Sequence, residues 1–384
     1  MTTWVSATML AWTVALVAIT WLVPGRWQLA VIGGLSIGFL ALHAPVSASI
    51  ALAFAAVSFY ALERERPSGP SILLLVAAIA AVLVWFKIGV DIDLSAEFAE
   101  PVVPLGLSYY ALRAIHYMVE RYKGTLERHT FSQYVSYLVF FPTLLVGPIS
   151  LFPDFQRDLR RRRWDGALFS RGCERILHGY AKIIVLGNYL VSIELAGWIA
   201  SDVAAGSALG EYLDCLRCAL NIYFQFSGFS DVAIGVGMLL GFHLMENFRA
   251  PFLAPNINEF WRRWHISLTS WCRSYVYLPI ASGLRQPIAA IFLTMIVIGL
   301  WHELSLRFLG WGLYHGAGIA VWTAVSRWRV ARWPPGAISS PIATVGRVAS
   351  VMLTFNFVVA GFAFAKEPSL TAGIRAYTIM LGLG

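Results

Sequence analysis

Charge is what this chain has least of: 13% of its 384 residues are Asp, Glu, Lys or Arg, where soluble domains carry about 25%. With 58% of the residues hydrophobic, a single water-soluble globule is excluded. The length supplies several helical crossings of a bilayer core about 30 Å thick. Cysteine is scarce too. Cys173, Cys215, Cys218 and Cys272 lie in or beside apolar stretches, and the one C-x-x-C pair has no second pair to complete a zinc ribbon. They read as small packed hydrophobes, and no metal site is expected. The first 23 residues lack a basic segment, so the first apolar run reads as a retained helix rather than a cleaved leader. An internal repeat, a low-complexity linker and a polar stretch long enough for a soluble domain are also missing. The expectation is one integral membrane domain over residues 1–384, with N-terminal helices in 1–100 and the core in 101–384.

What is present is a series of apolar runs: Val5 to Val23, Leu29 to His43, Ser47 to Leu62, Ser71 to Ile88, Val102 to Val119, Tyr134 to Val146, Ile176 to Ala200, Ala208 to Phe226, Val232 to Phe242, Ile288 to Trp301, Phe308 to Val325, Val345 to Ala365 and Leu370 to Leu383. They predict an all-α polytopic membrane protein. Tyr134 to Val146 and Val232 to Phe242 are too short to cross and predict re-entrant or broken helices, whose free backbone groups need protein or water around them.

The formal charge of +8 marks cytoplasmic loops rather than a nucleic-acid footprint. Arg26, the pair Arg64 and Arg66, and Arg121 with Lys123 fall at alternate connections. Asp91, Asp93, Glu97 and Glu100 occupy the one between. This alternation places the N-terminus outside. Arg157 and Arg160 to Arg163 should share the face of Arg121, so the run Phe140 to Pro148 must enter and leave on one side. Arg327, Arg329 and Arg332 predict a second cytoplasmic loop.

Polar residues inside apolar sequence are costly unless they face a cavity or a partner. The densest stretch is Asn256 to Tyr277, with Glu259, Arg262, Arg263, His265 and Arg273 among three tryptophans. It reads as a re-entrant element or as an interfacial anchor, with Trp at headgroup depth. A second Trp-His pair, Trp301-His302, closes the run Ile288 to Leu300. Burial favours a neutral imidazole that can take a proton, so His302 is a candidate general base; the bland alternative is a helix-end histidine bonded to a carbonyl. His315, on a predicted span, is a weaker candidate. His43, His116, His129, His178 and His243 lie near run ends, where an interfacial histidine needs no special role.

Trp261-Arg262-Arg263-Trp264-His265-Ile266-Ser267-Leu268-Thr269, Tyr275-Val276-Tyr277-Leu278-Pro279 and Gly299-Leu300-Trp301-His302 together resemble the signature of the membrane-bound O-acyltransferases (MBOAT). The similarity is greatest to the bacterial branch that O-acetylates alginate and other exported polysaccharides, with teichoic-acid D-alanylation proteins as cousins. Pro104 to Tyr109, Phe140-Phe141-Pro142 with Gly147-Pro148, and Tyr223 to Asp231 resemble that branch as well, and Phe362 to Lys366 loosely matches its terminal pattern.

The resemblance implies a bundle of about ten to twelve transmembrane or re-entrant helices around a catalytic tunnel, in a bacterial inner membrane. It implies His302 as the invariant catalytic histidine and His265 as the second one, with Trp264, Asn256, Gln225, Asp231 and Trp301 as substrate-binding residues. No cofactor is bound; acyl-CoA, acetyl-CoA above all, or an acylated carrier protein is the co-substrate. The acceptor is a hydroxyl of a polysaccharide, another glycan, a lipid or a small metabolite. Membrane lipids, a periplasmic acyltransferase and a carrier protein are the further partners it suggests. Two positions depart from the pattern: Gln225 stands where Asp is usual, and Glu303 follows the histidine where Gly is usual. A covalent role for Ser227 is weaker, because no neighbouring base is identifiable. A transporter, which would show flux without an acyl donor, and a non-catalytic scaffold are the competing classes.

Overall fold

A computed structural model of the chain describes residues 7–63, 68–88, 104–204, 206–332 and 340–383. Arg64, Arg66, Asp91, Asp93, Glu97 and Glu100 lie outside the described residues. All regular elements among those described are helical: α1 (Ala7–Leu22), α2 (Gly25–His43), α3 (Pro45–Glu63), α4 (Gly69–Ile88), α5 (Leu107–Lys123), α6 (Phe131–Leu138), α7 (Phe152–Arg161), α8 (Gly166–Tyr180), α9 (Ala196–Asp202), α10 (Ala208–Leu239), α11 (Ile257–Trp261), α12 (Ile266–Cys272), α13 (Leu278–Leu284), α14 (Pro287–His302), α15 (Leu306–Arg332), α16 (Ser340–Lys366) and α17 (Leu370–Met380). A widened helical stretch, Ala181–Leu195, runs from α8 into α9.

Six stretches among the described residues are long and apolar enough to cross a membrane: Gly25–His43, Pro45–Leu62, Gly69–Ile88, Gly166–Asp202, Ala208–Leu239 and Thr344–Lys366. The shorter apolar helices α1 and α14 accompany them. Leu73, Leu74, Ile193 and Leu353 are exposed on these helices, as a lipid solvent requires, and helices satisfy their own backbone groups there. The protein is an all-α polytopic membrane protein.

The chain forms two compact units, Met1–Tyr180 with Gly228–Met245, and Ala181–Ser227 with Glu246–Gly384. In the first, the short run after Lys123 folds back on itself. Thr130 and Gln133 form a reciprocal capping box that starts α6. The helix stops after Leu138, and a single tight turn follows at Phe141–Thr143. The chain then returns to where it entered: Gln156 Nε2 donates to the Arg128 carbonyl at 3.0 Å, and Arg160 pairs with Glu127. The carbonyls freed by the break are taken up by Arg113, fully buried on α5, which donates to Tyr137 O at 3.3 Å, Leu138 O at 3.0 Å and to Thr143.

Val232 to Phe242 is not a separate broken helix. Residues 232–239 continue α10 without interruption. The polar stretch ahead of them, ending at Asp231, looked like a break in hydropathy. Its carboxylate is buried and held by Arg175 of α8 at 2.7 Å. Glycines let the two helices meet: a Cβ at Gly179 would sit 2.7 Å from the Gly228 carbonyl, and one at Gly235 2.7 Å from that of Gly172. In the second unit, α14 and α15 pack along much of their length. Gly299 faces the Phe308 carbonyl directly, and a Cβ at Gly312 would lie 2.6 Å from the Met295 carbonyl.

Candidate active site

The stretch Asn256 to Tyr277 is neither a span nor a plain interfacial anchor. It breaks into the five-residue α11, the seven-residue α12 and a widened turn at Arg273–Tyr277, with Ile257, Phe260, Trp261, Trp264, Leu268 and Trp271 buried. Asn256 caps α11: its Oδ1 accepts the Glu259 N–H at 2.8 Å. Between the two helices the backbone of His265 turns left-handed, with φ 44° and ψ 53°, so α12 leaves in a new direction. For a residue with a Cβ that conformation costs about 1–2 kcal/mol, and it persists where surrounding bonds enforce it.

Asn247 supplies those bonds. Its carbonyl accepts the Ile266 N–H at 3.0 Å. Its side-chain Oδ1 accepts from the Ser267 N–H at 3.2 Å and from Ser267 Oγ at 2.8 Å. The same Oδ1 lies 3.2 Å from His265 Nδ1. A backbone N–H only donates, so the amide atom facing Ser267 is the oxygen, and His265 Nδ1 must carry the hydrogen. In a neutral imidazole the other nitrogen then holds a bare lone pair. That Nε2 is buried and has no hydrogen-bond partner among the described residues. Burial first, and the nearby His302 ring second, hold the His265 pKa well below 6.5, which keeps the ring neutral.

His302 ends α14, and the fold brings it to His265 across 37 residues of sequence. The two ring centres are 6.3 Å apart, and Trp301 lies 5.9 Å from His265. Phe308 and Trp311 of α15 flank His302 at 6.0 and 5.8 Å. The His302 side chain is exposed, whereas His265 is buried, so the imidazole with the candidate role is not sealed off. Glu303 is the C-cap of α14 in extended conformation. Its carboxylate takes both branches of the Arg307 guanidinium, one at 2.8 Å, and Arg307 also bonds the carbonyls of Ala365 at 2.9 Å and Glu367 at 2.8 Å. The acid next to the histidine is thus engaged by a cation one turn further on.

The other candidates separate. Trp264 is buried in an aromatic cluster with Tyr223, Phe248, Phe252 and Phe260, behind His265 in sequence. Gln225 Nε2 donates to Asn188 Oδ1 at 2.6 Å, while its neighbour on α10, Phe226, meets His265 edge-on at 4.6 Å. Asp231 belongs to the first unit and is ion-paired there. Asn256 is spent on its helix cap. Ser227 is buried, with no hydrogen-bond partner for its hydroxyl among the described residues. Two residues escaped the sequence reading. Asn247 sits in Glu246-Asn247-Phe248, a stretch with no motif. Trp311 bridges His302 to His315, whose rings lie 5.8 and 4.7 Å from it; the aromatic spacing Trp311, His315 on α15 was the only signal for it.

The sequence profile of the membrane-bound O-acyltransferase family matches residues 212–362, which include both histidines. A probable alginate O-acetylase of Pseudomonas aeruginosa is 32% identical over 287 residues, covering 74% of this chain and 52% of the relative. Its counterpart from Pseudomonas putida is 30% identical over 344 residues, covering 84% of this chain and 66% of the relative. The chain belongs to the membrane-bound O-acyltransferase family. A teichoic acid D-alanyltransferase of Bacillus subtilis is a more distant member, 27% identical over 281 residues and covering 69% of each chain. The chain spans about half the length of the Pseudomonas aeruginosa relative and close to two thirds of that from Pseudomonas putida. In this chain, Trp301-His302 and the Trp264-His265 turn are the places that bring the two imidazole ring centres to 6.3 Å.

Proposed function

We propose that this protein is an O-acyltransferase of a bacterial inner membrane that moves an acyl group, acetyl in the first instance, from a cytosolic thioester to a hydroxyl of an exported glycan. The juxtaposition of His265 and His302 carries the reading. An alcohol has a pKa far above neutrality and attacks a thioester well only if a base takes its proton as the C–O bond forms. His302, exposed at the end of α14, is the base. The hydroxyl oxygen attacks the carbonyl carbon while the imidazole accepts the proton. The tetrahedral oxyanion then collapses, the C–S bond breaks, and the departing thiolate recovers that proton, leaving an ester and a free thiol. His265, fixed by Asn247 with Nε2 as an acceptor, orients the hydroxyl; a ring separation of 6.3 Å can be bridged by one substrate oxygen with hydrogen bonds of about 2.6–3.2 Å.

The names of the relatives support a glycan acceptor, and both O-acetyl and D-alanyl transfer occur among those names. The thioester, made in the cytosol, approaches the face of the basic loops, which attract its phosphate-bearing carrier arm. A CoA thioester and an acylated carrier protein both fit. The test is acetyl transfer from radiolabelled acetyl-CoA by the purified protein to a polysaccharide acceptor, with His302→Ala alongside. Turnover by the wild type and none by the folded variant supports the assignment. Ion or solute flux without an acyl donor supports a transporter instead, and equal turnover by both proteins rejects His302 as the base.

A further inference from the structure

The arginine-rich turn between α7 and α8 is one of those basic loops, and none of its residues takes part in the bond-making steps above. Arg157, Arg161, Arg162, Arg163 and Arg171 line a cavity of about 290 Å³ against two carboxylates, Asp158 and Asp165. Both acids are committed. Asp158 accepts from Arg157 at 3.1 Å and from the His243 N–H at 2.7 Å. Asp165 accepts the N–H groups of Ala167 and Leu168 at 2.9 and 3.0 Å, capping α8. Arg161, Arg163 and Arg171 are exposed.

Arg162 is held differently. Its guanidinium lies over Trp21 at 4.8 Å and Phe242 at 5.5 Å, and its Nε donates to the Leu240 carbonyl at 3.0 Å. One terminal nitrogen is buried with no hydrogen-bond acceptor among the described residues. Removal from water lowers its pKa to about 10, so it remains a cation at neutral pH.

Trp21 links this pocket to a second one. It donates to the Leu239 carbonyl at 2.8 Å and meets Trp164 edge-on at 5.3 Å. Beyond these rings an apolar groove of about 630 Å³ runs between α1, through Leu10, Val14 and Val17, and α8, through Phe169, Cys173 and Ile176. The three- and four-residue steps keep each set on one helix face. From Leu10 to Trp21 the groove follows roughly 16 Å of helix, at about 1.5 Å per residue.

We propose that the two pockets together bind one anionic phospholipid, its phosphate on Arg162 with Arg161, Arg163 and Arg171 around it and an acyl chain along the α1–α8 groove. Charge complementarity selects this occupant. A soluble phosphate compound has no use for the groove, and a zwitterionic lipid brings its own cation to a pocket already in excess of arginine. Basic pockets between membrane helices on the cytoplasmic side suit anionic headgroups, and the positive-inside pattern assigns this turn to that side.

The test is lipid binding to the purified full chain in mild detergent, read by native mass spectrometry with phosphatidylglycerol and phosphatidylcholine of matched chains. Phosphatidylglycerol should bind at least tenfold more tightly. The triple variant R161Q/R163Q/R171Q should lose about fivefold per arginine, on the order of a hundredfold in all. Its arginines are exposed, so folding is spared, and an unchanged melting temperature checks this. Val14→Trp, at an exposed position of the groove wall, should weaken the same lipid by filling the chain's path. Equal affinity for the two lipids, or wild-type binding by the triple variant, overturns the proposal. So does displacement of the lipid by millimolar inorganic phosphate or CoA with Val14→Trp having no effect, which would make the arginines a site for a soluble anion.

Discussion

Asn247→Ala probes the His265 turn most directly. The substitution removes the one oxygen that accepts from the Ser267 N–H, Ser267 Oγ and His265 Nδ1, all in a buried setting. An unsatisfied buried donor costs about 1–3 kcal/mol. The serine hydroxyl can rotate toward another acceptor, so two stranded donors remain and the loss should be about 2–6 kcal/mol. The catalytic effect is separate. Without Asn247 the ring is free to place its hydrogen on Nε2, and the left-handed turn is free to relax. A reacting group displaced by about 1 Å costs up to about a hundredfold in rate. Acetyl transfer per folded molecule should therefore fall between tenfold and a hundredfold at a temperature well below unfolding. Asn247→Asp is the informative companion: its carboxylate accepts the same bonds and keeps the hydrogen on Nδ1. The added negative charge favours the imidazolium, so the acid limb of the pH–rate profile should move to higher pH. If folded Asn247→Ala turns over at the wild-type rate with an unshifted pH profile, His265 plays no part in transfer.

Acidification should destabilise the protein, because burial keeps the folded-state pKa of His265 well below its unfolded value near 6.5; the stability is intact above pH 6.5 and declines below it as the unfolded chain gains the proton. A His265→Gln variant should flatten that part of a melting-temperature series. Glu303→Gly should leave transfer within a few-fold and cost at most about 1 kcal/mol, since the pair with Arg307 is partly exposed; a loss above a hundredfold would mean that Glu303 acts on His302. Arg307→Ala should cost more in thermal denaturation, because it also strands the Ala365 and Glu367 carbonyls. Gly299→Ala places a methyl group against the Phe308 carbonyl and should cost about 1–3 kcal/mol by overpacking. It should also disturb His302, three residues along the same helix, and unchanged melting and activity would show that α14 and α15 part without consequence.

Composition and hydropathy made the membrane class legible, because few charges and repeated apolar runs have one physical solution in lipid. The pattern of arginines called for a segment whose ends lie together, and the Gln156 to Arg128 hydrogen bond joins those ends. Hydropathy failed at residues 227–231, since a run of Ser, Gly and Asp reads as a break when the partner that neutralises Asp231 is 56 residues away on α8. It was equally blind to Asn247, whose importance rests on three bonds to a segment 18 to 20 residues later.

By itself the sequence determined what the solvent is, that the chain crosses it as helices and which two histidines carry family motifs, because these follow from local composition and short spacings. Only the tertiary structure decided that the two imidazoles are neighbours, that one is buried with its lone pair fixed while the other is open, and that Glu303 belongs to Arg307. Those outcomes depend on helices meeting at glycines and on hydrogen bonds between distant segments, and neither leaves a period or a motif in the chain.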